Sequence, residues 1–198
     1  MKHYEMRRAA RRMDKAELER LLERGAYCIV SCIDENGAPY GVPLSYTYEP
    51  AQSGNGGTRH SSCESNPPLS SECAGEAEDS TSSADLPGTL GTIYFHTTNE
   101  SGRKLDAFAA NDRVCATVVE DVAARFQDAA FTTGFSSAMA FGRIRRVIDP
   151  VVVRKALVNL CMKYLPEHKN DIGAAMQADL DATAVWALDI EELSGKRN

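Results

Sequence analysis

Strand-like runs recur along this chain with mostly short turns between them, and this pattern limits the fold more than any other feature. Six runs are rich in β-branched, aromatic and other apolar residues: 26–34, 40–49, 91–98, 113–120, 130–148 and 183–193. Strands that alternated regularly with helices would predict a parallel sheet, and this chain lacks that alternation. The sequence therefore predicts a mainly β protein with peripheral helices. The expected architecture is a six-stranded antiparallel barrel, closed or split, with Greek-key-like connections.

Local signals set the boundaries of the first elements. Asp14 can cap a helix that carries leucines at helical spacing and ends at Gly25. Asn36 and Gly37 form a pair that is typical of a tight hairpin turn. Pro43 has no N–H to donate, which predicts that its strand lies at a sheet edge or carries a bulge.

Three further helices are expected. The first covers 102–110, between the third and fourth strands. The second covers 149–165, with Asp149 as its N-cap and Pro150 in its first turn. The third is short and covers about 169–178.

Residues 51–88 differ in composition from the rest of the chain. They are rich in Ser, Gly, Glu and Pro, contain no aromatic residue, and hold six carboxylates against one arginine, a net charge of −5 out of −6. Such a segment buries too little apolar surface to offset the entropy of ordering. We expect one domain over 1–198 with a disordered acidic insertion at 51–88. Cys63 and Cys73 lie in this insertion, either as free thiols or with a redox role.

The composition of the chain limits which other classes of protein and of binding site are possible. The hydrophobic fraction of 43% is enough for a packed core, and no apolar run approaches the ~20 residues of a membrane span. The Arg-rich start lacks the apolar segment of a secretory signal. The six cysteines show no metal-ligand spacing. We expect a cytoplasmic protein with no metal site, no membrane contact and no nucleic-acid partner.

The segment 95–105, FHTTNESGRKL, has the composition of an anion site. Hydroxyl and basic side chains cluster there: Thr97, Thr98, Ser101, Arg103 and Lys104. They surround the start of the expected helix 102–110, where free N–H groups and the helix dipole favour a phosphate. The alternative is an ordinary helix start with solvated basic residues.

Two other features carry open alternatives. His96 ends a strand, and it either contacts a ligand and transfers protons near neutral pH or has a structural role. Arg143, Arg145 and Arg146 either attract an anion or form a solvated strand end. Dinucleotide-binding, P-loop and serine-hydrolase motifs are absent from the sequence.

Four segments resemble one known family in their order along the chain: PYGVPL (39–44), YFHTTNESGRKLD (94–106), SSAMAFGRI (136–144) and IEELSGK (190–196). They are similar to FMN-binding split-barrel proteins related to pyridoxamine 5′-phosphate oxidase, and most of all to the 5-nitroimidazole-resistance (Nim-type) branch. The residue set that binds pyridoxamine phosphate in the oxidase itself is not recognisable, which disfavours that substrate.

The resemblance implies a homodimer with FMN at the subunit interface. It also implies an FMN-dependent oxidoreductase that reduces small organic substrates, nitroaromatic compounds among them. One alternative is a split-barrel protein that binds haem or a deazaflavin. Another is a non-catalytic flavin-binding protein whose termini and acidic insertion recruit partners.

The resemblance also assigns site residues. The flavin ring would be lined by the strand residues Tyr40, Gly41, Val42, Pro43 and Leu44. Phe95 and His96 would lie at the ring edge, with Thr97 and Thr98 continuing that wall. Arg103 and Lys104, followed by Leu105, would hold the phosphate, and Ser136 and Ser137 would add polar contacts, often from the partner subunit. His96 is the one catalytic candidate.

Overall fold

A computed structural model of the chain describes residues 6–51 and 88–198. The predicted insertion, with its two cysteines, lies outside the described residues apart from its two end residues. The described strands are β1 Cys28–Ile33, β2 Pro39–Leu44, β3 Thr47–Pro50, β4 Gly91–Thr98, β5 Arg113–Gln127, β6 Ala130–Arg146 and β7 Thr183–Arg197. The described α-helices are α1 Lys15–Arg24, α2 Arg103–Ala110, α3 Pro150–Tyr164 and α4 Ile172–Asp179. None of these helices is long and apolar enough to cross a membrane.

All seven strands form one antiparallel sheet in the order β2-β1-β5-β6-β7-β4-β3. The two edge strands, β2 and β3, follow each other in the chain and are separated only by Ser45 and Tyr46. This short link requires the sheet to curl until its edges approach each other. The expected mainly β, antiparallel split-barrel architecture is confirmed.

The predicted strand at 40–49 divides into β2 and β3, so the described residues form seven strands and not six. The division occurs at Tyr46, whose side chain is fully buried. Its hydroxyl donates to the carbonyl of Leu22 at 2.7 Å, and its N–H donates to the hydroxyl of Tyr164 at 2.9 Å. The carbonyl of Tyr46 also contacts the Tyr164 hydroxyl, at 3.1 Å, so both backbone polar groups of Tyr46 are used by this side chain and not by the sheet ladder.

β5 continues to Gln127, beyond the end of the strand predicted at 113–120. β5 and β6 extend into a long hairpin arm that closes with a two-residue turn at Asp128 and Ala129, both with positive φ. A register shift between Glu120 and Ala123 marks the base of this arm.

The predicted local signals are confirmed in the structure. Asp14 and Glu17 form a capping box at the start of α1, and Asp149 accepts hydrogen bonds from the first turn of α3. Gly37 has a φ of 78° in the turn between β1 and β2. Pro43 lies on the edge strand β2, which pairs only with β1 among the described strands.

The barrel has a buried interior and two different outer surfaces. Leucines of α1 pack into the interior core. Outside, α3 packs on the β4–β7 side, where Ala156 joins a buried cluster with Tyr94, Val185 and Ala187. On the β1–β5–β6 side, large apolar side chains remain exposed: Tyr27, Ile29, Ile33, Val119 and Met139. We call this second surface the open face.

Candidate functional site

The end of β4 places the predicted residues on opposite faces of the sheet. Side chains alternate along a strand, so Phe95 and Thr97 face the barrel interior while His96 and Thr98 face outward. Phe95 is fully buried, with its ring centroid 6.0 Å from that of Phe108. Phe95 therefore belongs to the core, which corrects the expectation that it lies beside His96 at one ligand edge.

The hydroxyl of Thr97 is already used inside the protein. It donates to the carbonyl of Thr98 at 2.8 Å and accepts a hydrogen bond from Nε1 of Trp186 at 3.2 Å. The exposed hydroxyl of Thr98 remains on the outer surface beside His96. Of the two threonines, Thr98 is therefore the one that can contact a ligand there.

Helix α2 begins without a side-chain cap. Its N-cap residue is Gly102, and Ser101 lies one residue outside the helix. The carbonyl of Gly102 accepts from the N–H groups of Leu105 and Asp106. The first N–H groups of α2 are therefore free to meet an anion.

The two basic residues at the start of α2 have different surroundings. Arg103 donates to the carboxylate of Asp34 at 2.9 Å, and its guanidinium carbon lies 4.7 Å from the ring centroid of Tyr40. The pKa of Asp34 is lowered, first by the N–H of Ala38 and then by Arg103. Arg103 therefore fastens α2 to the β1–β2 hairpin and is not a free phosphate ligand.

Lys104 has no such partner. Within residues 6–51 and 88–198, no carboxylate lies in salt-bridge distance of its amine. Burial lowers the pKa of Lys104. The pKa of His96 is also lowered, mainly because its ring is partly removed from water and further because Lys104 is close. A positive charge without a described counter-ion thus lies beside a neutral imidazole at a helix N-terminus, an arrangement that favours a bound anion.

The residues of β2 do not form one wall. Tyr40, Val42 and Leu44 pack against the interior core, whereas Gly41 and Pro43 are exposed on the outer surface. The five residues that were predicted to line one ring therefore lie on two opposite faces of β2. Leu105, from α2, also packs against the core.

A cavity of about 590 Å³ lies at the outer surface beside β2. Its lining includes Ser31, Tyr40, Gly41, Cys115, Phe141 and Glu192. This volume lies within the range of small-molecule sites. Tyr40 and Gly41 were predicted from the sequence. Cys115 and Phe141 were not, although the period-2 pattern of β5 and β6 places both on the open face.

Ser136 and Ser137 lie far from His96 within one chain. Ser137 pairs with Lys196 on β7, whereas His96 pairs with Val185 on the same strand. These β7 positions are 11 residues apart, roughly 36 Å along an extended strand. Ser137 pairs on its other side with Val119, a residue of the open face. The fold thus does not bring the serines to the rest of the predicted site in one protomer.

A profile of the family described as pyridoxamine 5′-phosphate oxidase matches residues 89–197, more than half of the chain. This chain belongs to the pyridoxamine 5′-phosphate oxidase-like family. The matched region runs from β4 through β7 and includes His96, Lys104 and both serines. No curated protein matches this sequence.

Solved structures share the fold at low sequence identity. A candidate 5-nitroimidazole antibiotic resistance protein from Bacteroides thetaiotaomicron is 20% identical, with a TM-score of 0.61 over 94% of this chain and 86% of that chain. The flavocytochrome Anf3 from Azotobacter vinelandii is 19% identical, with a TM-score of 0.65 over 98% and 72% of the two chains. An FAD- and haem-binding protein from Mycobacterium smegmatis is 17% identical, with a TM-score of 0.61 over 93% and 71%.

Proposed function

We propose that this protein is an FMN-dependent oxidoreductase that reduces small organic compounds and works as a homodimer. The observation that carries the proposal is Lys104, a cation without a described counter-ion beside the free N–H groups of α2 and beside His96. Family membership supports a phosphorylated cofactor at this place. Structural neighbours named for flavin, or for flavin and haem, support the cofactor class.

The residues present fit FMN at this site. Lys104 and the first N–H groups of α2 would bind the phosphate, with the hydroxyl of Thr98 as a further donor. Gly41 leaves room for a close approach to the backbone of β2, and the cavity that Gly41 itself lines is large enough for a planar group. The bound flavin would supply the redox chemistry, and the protein would supply orientation and charge.

His96 is the candidate for proton transfer. Its lowered pKa keeps the imidazole neutral at pH 7, so one ring nitrogen can accept a proton and the other can donate one. A negative phosphate near Lys104 would raise the pKa of His96 toward neutrality. That range suits a group that must both bind and release a proton.

The open face supports the proposed homodimer. A second copy that covered this face would bury its apolar side chains and would contact Ser137, which shares the face with Met139. Ser137 would then reach the cofactor of the partner subunit, which one chain alone does not permit, whereas Ser136 points to the opposite face of β6.

We place the protein nearest to the Nim-type branch and propose nitroaromatic compounds among its substrates. The similarity to the Bacteroides structure supports this choice at the level of the fold. The flavocytochrome and the FAD- and haem-binding protein share this fold, and they make haem the principal alternative cofactor.

The test is the visible spectrum of the purified protein, followed by titration with FMN. We expect flavin bands and binding that weakens about tenfold or more in Lys104→Met, because a charge-assisted phosphate contact is lost. Lys155→Met is the matched control, since Lys155 of α3 pairs with Glu49 of β3. If the spectrum is that of haem, haem replaces FMN as the proposed cofactor. A colourless protein that takes up neither cofactor would overturn it.

A further inference from the structure

Three aromatic rings connect the elements that carry the candidate site. Trp186 of β7 lies 5.3 Å from Phe108 of α2, measured between ring centroids, and Phe108 lies 6.0 Å from Phe95 of β4. Phe95 and Phe108 are buried and Trp186 is half-buried. The position of α2 relative to β4 therefore depends on how these rings pack.

The indole of Trp186 also makes a polar contact with the end of β4. Its Nε1 donates to the hydroxyl of Thr97 at 3.2 Å, and that hydroxyl donates to the carbonyl of Thr98 at 2.8 Å. The two bonds run in one direction, from indole to hydroxyl to backbone. They fix the peptide between Thr98 and Asn99, at the end of the strand that carries His96.

Phe108 contacts Phe95 directly, but the polar contacts of the segment between β4 and α2 run to other elements. Residues 99–102 are exposed, Asn99 donates to the carbonyls of Asp181 and Ala182, and α2 has no side-chain cap. Arg103 holds the start of α2 to the β1–β2 hairpin and not to β4. Trp186 touches both sides of this gap, α2 through Phe108 and β4 through Thr97.

We propose that Trp186 is a positioning residue that sets the spacing between His96 on β4 and Lys104 on α2, so that both face the same ligand. The proposal rests on the proposed function for the identity of that ligand, a flavin phosphate. Trp186 itself faces the barrel interior, as its pairing with the buried Phe95 shows, and it acts through Thr97 and Phe108.

A phenylalanine at position 186 would keep the ring contact with Phe108 but lose the N–H. Trp186→Phe removes the bond from the indole to the hydroxyl, and Thr97→Val removes that bond together with the one to the carbonyl of Thr98. Trp186→Phe is expected to weaken FMN binding about fivefold, the cost of one buried hydrogen bond, and Thr97→Val at least as much. The double variant should be no weaker than Thr97→Val alone, because that variant has already removed the acceptor of the indole.

Thr97→Ser restores the hydroxyl and should recover most of the binding lost in Thr97→Val. Asp149→Ala is the control for general destabilisation, since it removes the N-cap of α3 away from this contact. It should lower the melting temperature without changing FMN affinity. Affinity losses that simply follow melting temperature across all variants, or that add in the double variant, would overturn the proposal.

One measurement needs no flavin. The pKa of His96, followed by NMR in the unliganded protein, should move toward its ordinary value in Trp186→Phe if Lys104 shifts away. An unchanged His96 pKa would overturn the positioning role even if FMN binds. A protein that binds no FMN but shows this change in pKa would refute the proposed function and keep the positioning role.

Discussion

Lys163 lies near the C-terminal end of α3 with its amine inside the protein. The Nζ atom is buried without a hydrogen-bond partner and lies 3.9 Å from the ring centroid of Tyr46. Burial lowers the pKa of Lys163 to about 8. The folded state thus holds this proton less tightly than the unfolded state does. Its charge reduces stability below pH 8, and the cost fades as the pH rises from 8 toward 10.5.

We therefore predict that Lys163→Met raises the free energy of unfolding at pH 7 by about 1–2 kcal/mol, allowing for the lost cation–π contact. The gain should shrink above pH 9. Urea unfolding at pH 7 and pH 10 measures both quantities, with Lys155→Met as the exposed, ion-paired control. A less stable variant at pH 7 would contradict the prediction.

His96 offers a second test at the scale of single residues. Its pKa is lowered, so the ring is neutral at pH 7 and the folded state gains stability as the pH rises through the range between the lowered value and 6.5. A phosphate near Lys104 reverses the sign of the local charge. We expect FMN or inorganic phosphate to raise the pKa of His96, as followed by its NMR chemical shift. An unchanged His96 chemical shift at saturating FMN and phosphate would contradict this prediction.

The candidate site could be predicted from sequence only where its residues are neighbours in the chain. The proximity of His96 and Lys104 follows from one strand–turn–helix segment. The contacts of Arg103 with Asp34 and of Thr97 with Trp186 join residues that are 69 and 89 positions apart in the chain, and no local sequence pattern predicts them. Once His96 is placed on the outer face of the sheet, strand alternation predicts that Phe95 and Thr97 point inward.

At the scale of elements, the β5–β6 arm closes with an unusual turn. Asp128 and Ala129 have φ values of 51° and 58°, a conformation that costs an L-residue with a Cβ about 1 kcal/mol. We predict that Ala129→Gly raises the free energy of unfolding by about 0.5–1 kcal/mol. Ala124→Gly, in the extended part of β5, should lower it by a similar amount. Thermal unfolding of both variants checks the sign, and destabilisation by Ala129→Gly would refute the turn geometry.

The same turn explains why the arm was not predicted. Two-residue hairpin turns are usually predicted from an Asn-Gly or Asp-Gly pair, and Asp-Ala is not such a pair. The division at Tyr46 was missed for a similar reason, since no glycine or proline marks it. Elements with conventional start and stop residues, such as α1 and α3, were predicted within a residue or two.

At the scale of the whole molecule, the proposed dimer depends on the open face. Ile29 and Met139 are 40% and 39% exposed, and both pair with Thr117 from neighbouring strands. Ser137 lies two residues before Met139 on the same face of β6. Residues that alternate in this way share one surface, so a partner that covers Met139 also covers Ser137.

We predict that the protein is a dimer in solution and that Ile29→Glu with Met139→Glu makes it monomeric. Burying two carboxylates in an apolar interface costs several kcal/mol, enough to dissociate a typical dimer at micromolar concentration. Sedimentation velocity measures the mass. Ile148→Glu is the control, because Ile148 is 87% exposed just before α3 and outside the open face.

The monomeric variant should also bind FMN at least about tenfold more weakly, because the partner's Ser137 would be lost from the site. Substitution of Ser137 by alanine should weaken FMN binding without changing the mass. A monomer that retained full FMN affinity would show that one chain builds the whole site. In that case the cofactor would contact only Lys104, His96 and the β2 side of the cavity, and the open face would have another purpose.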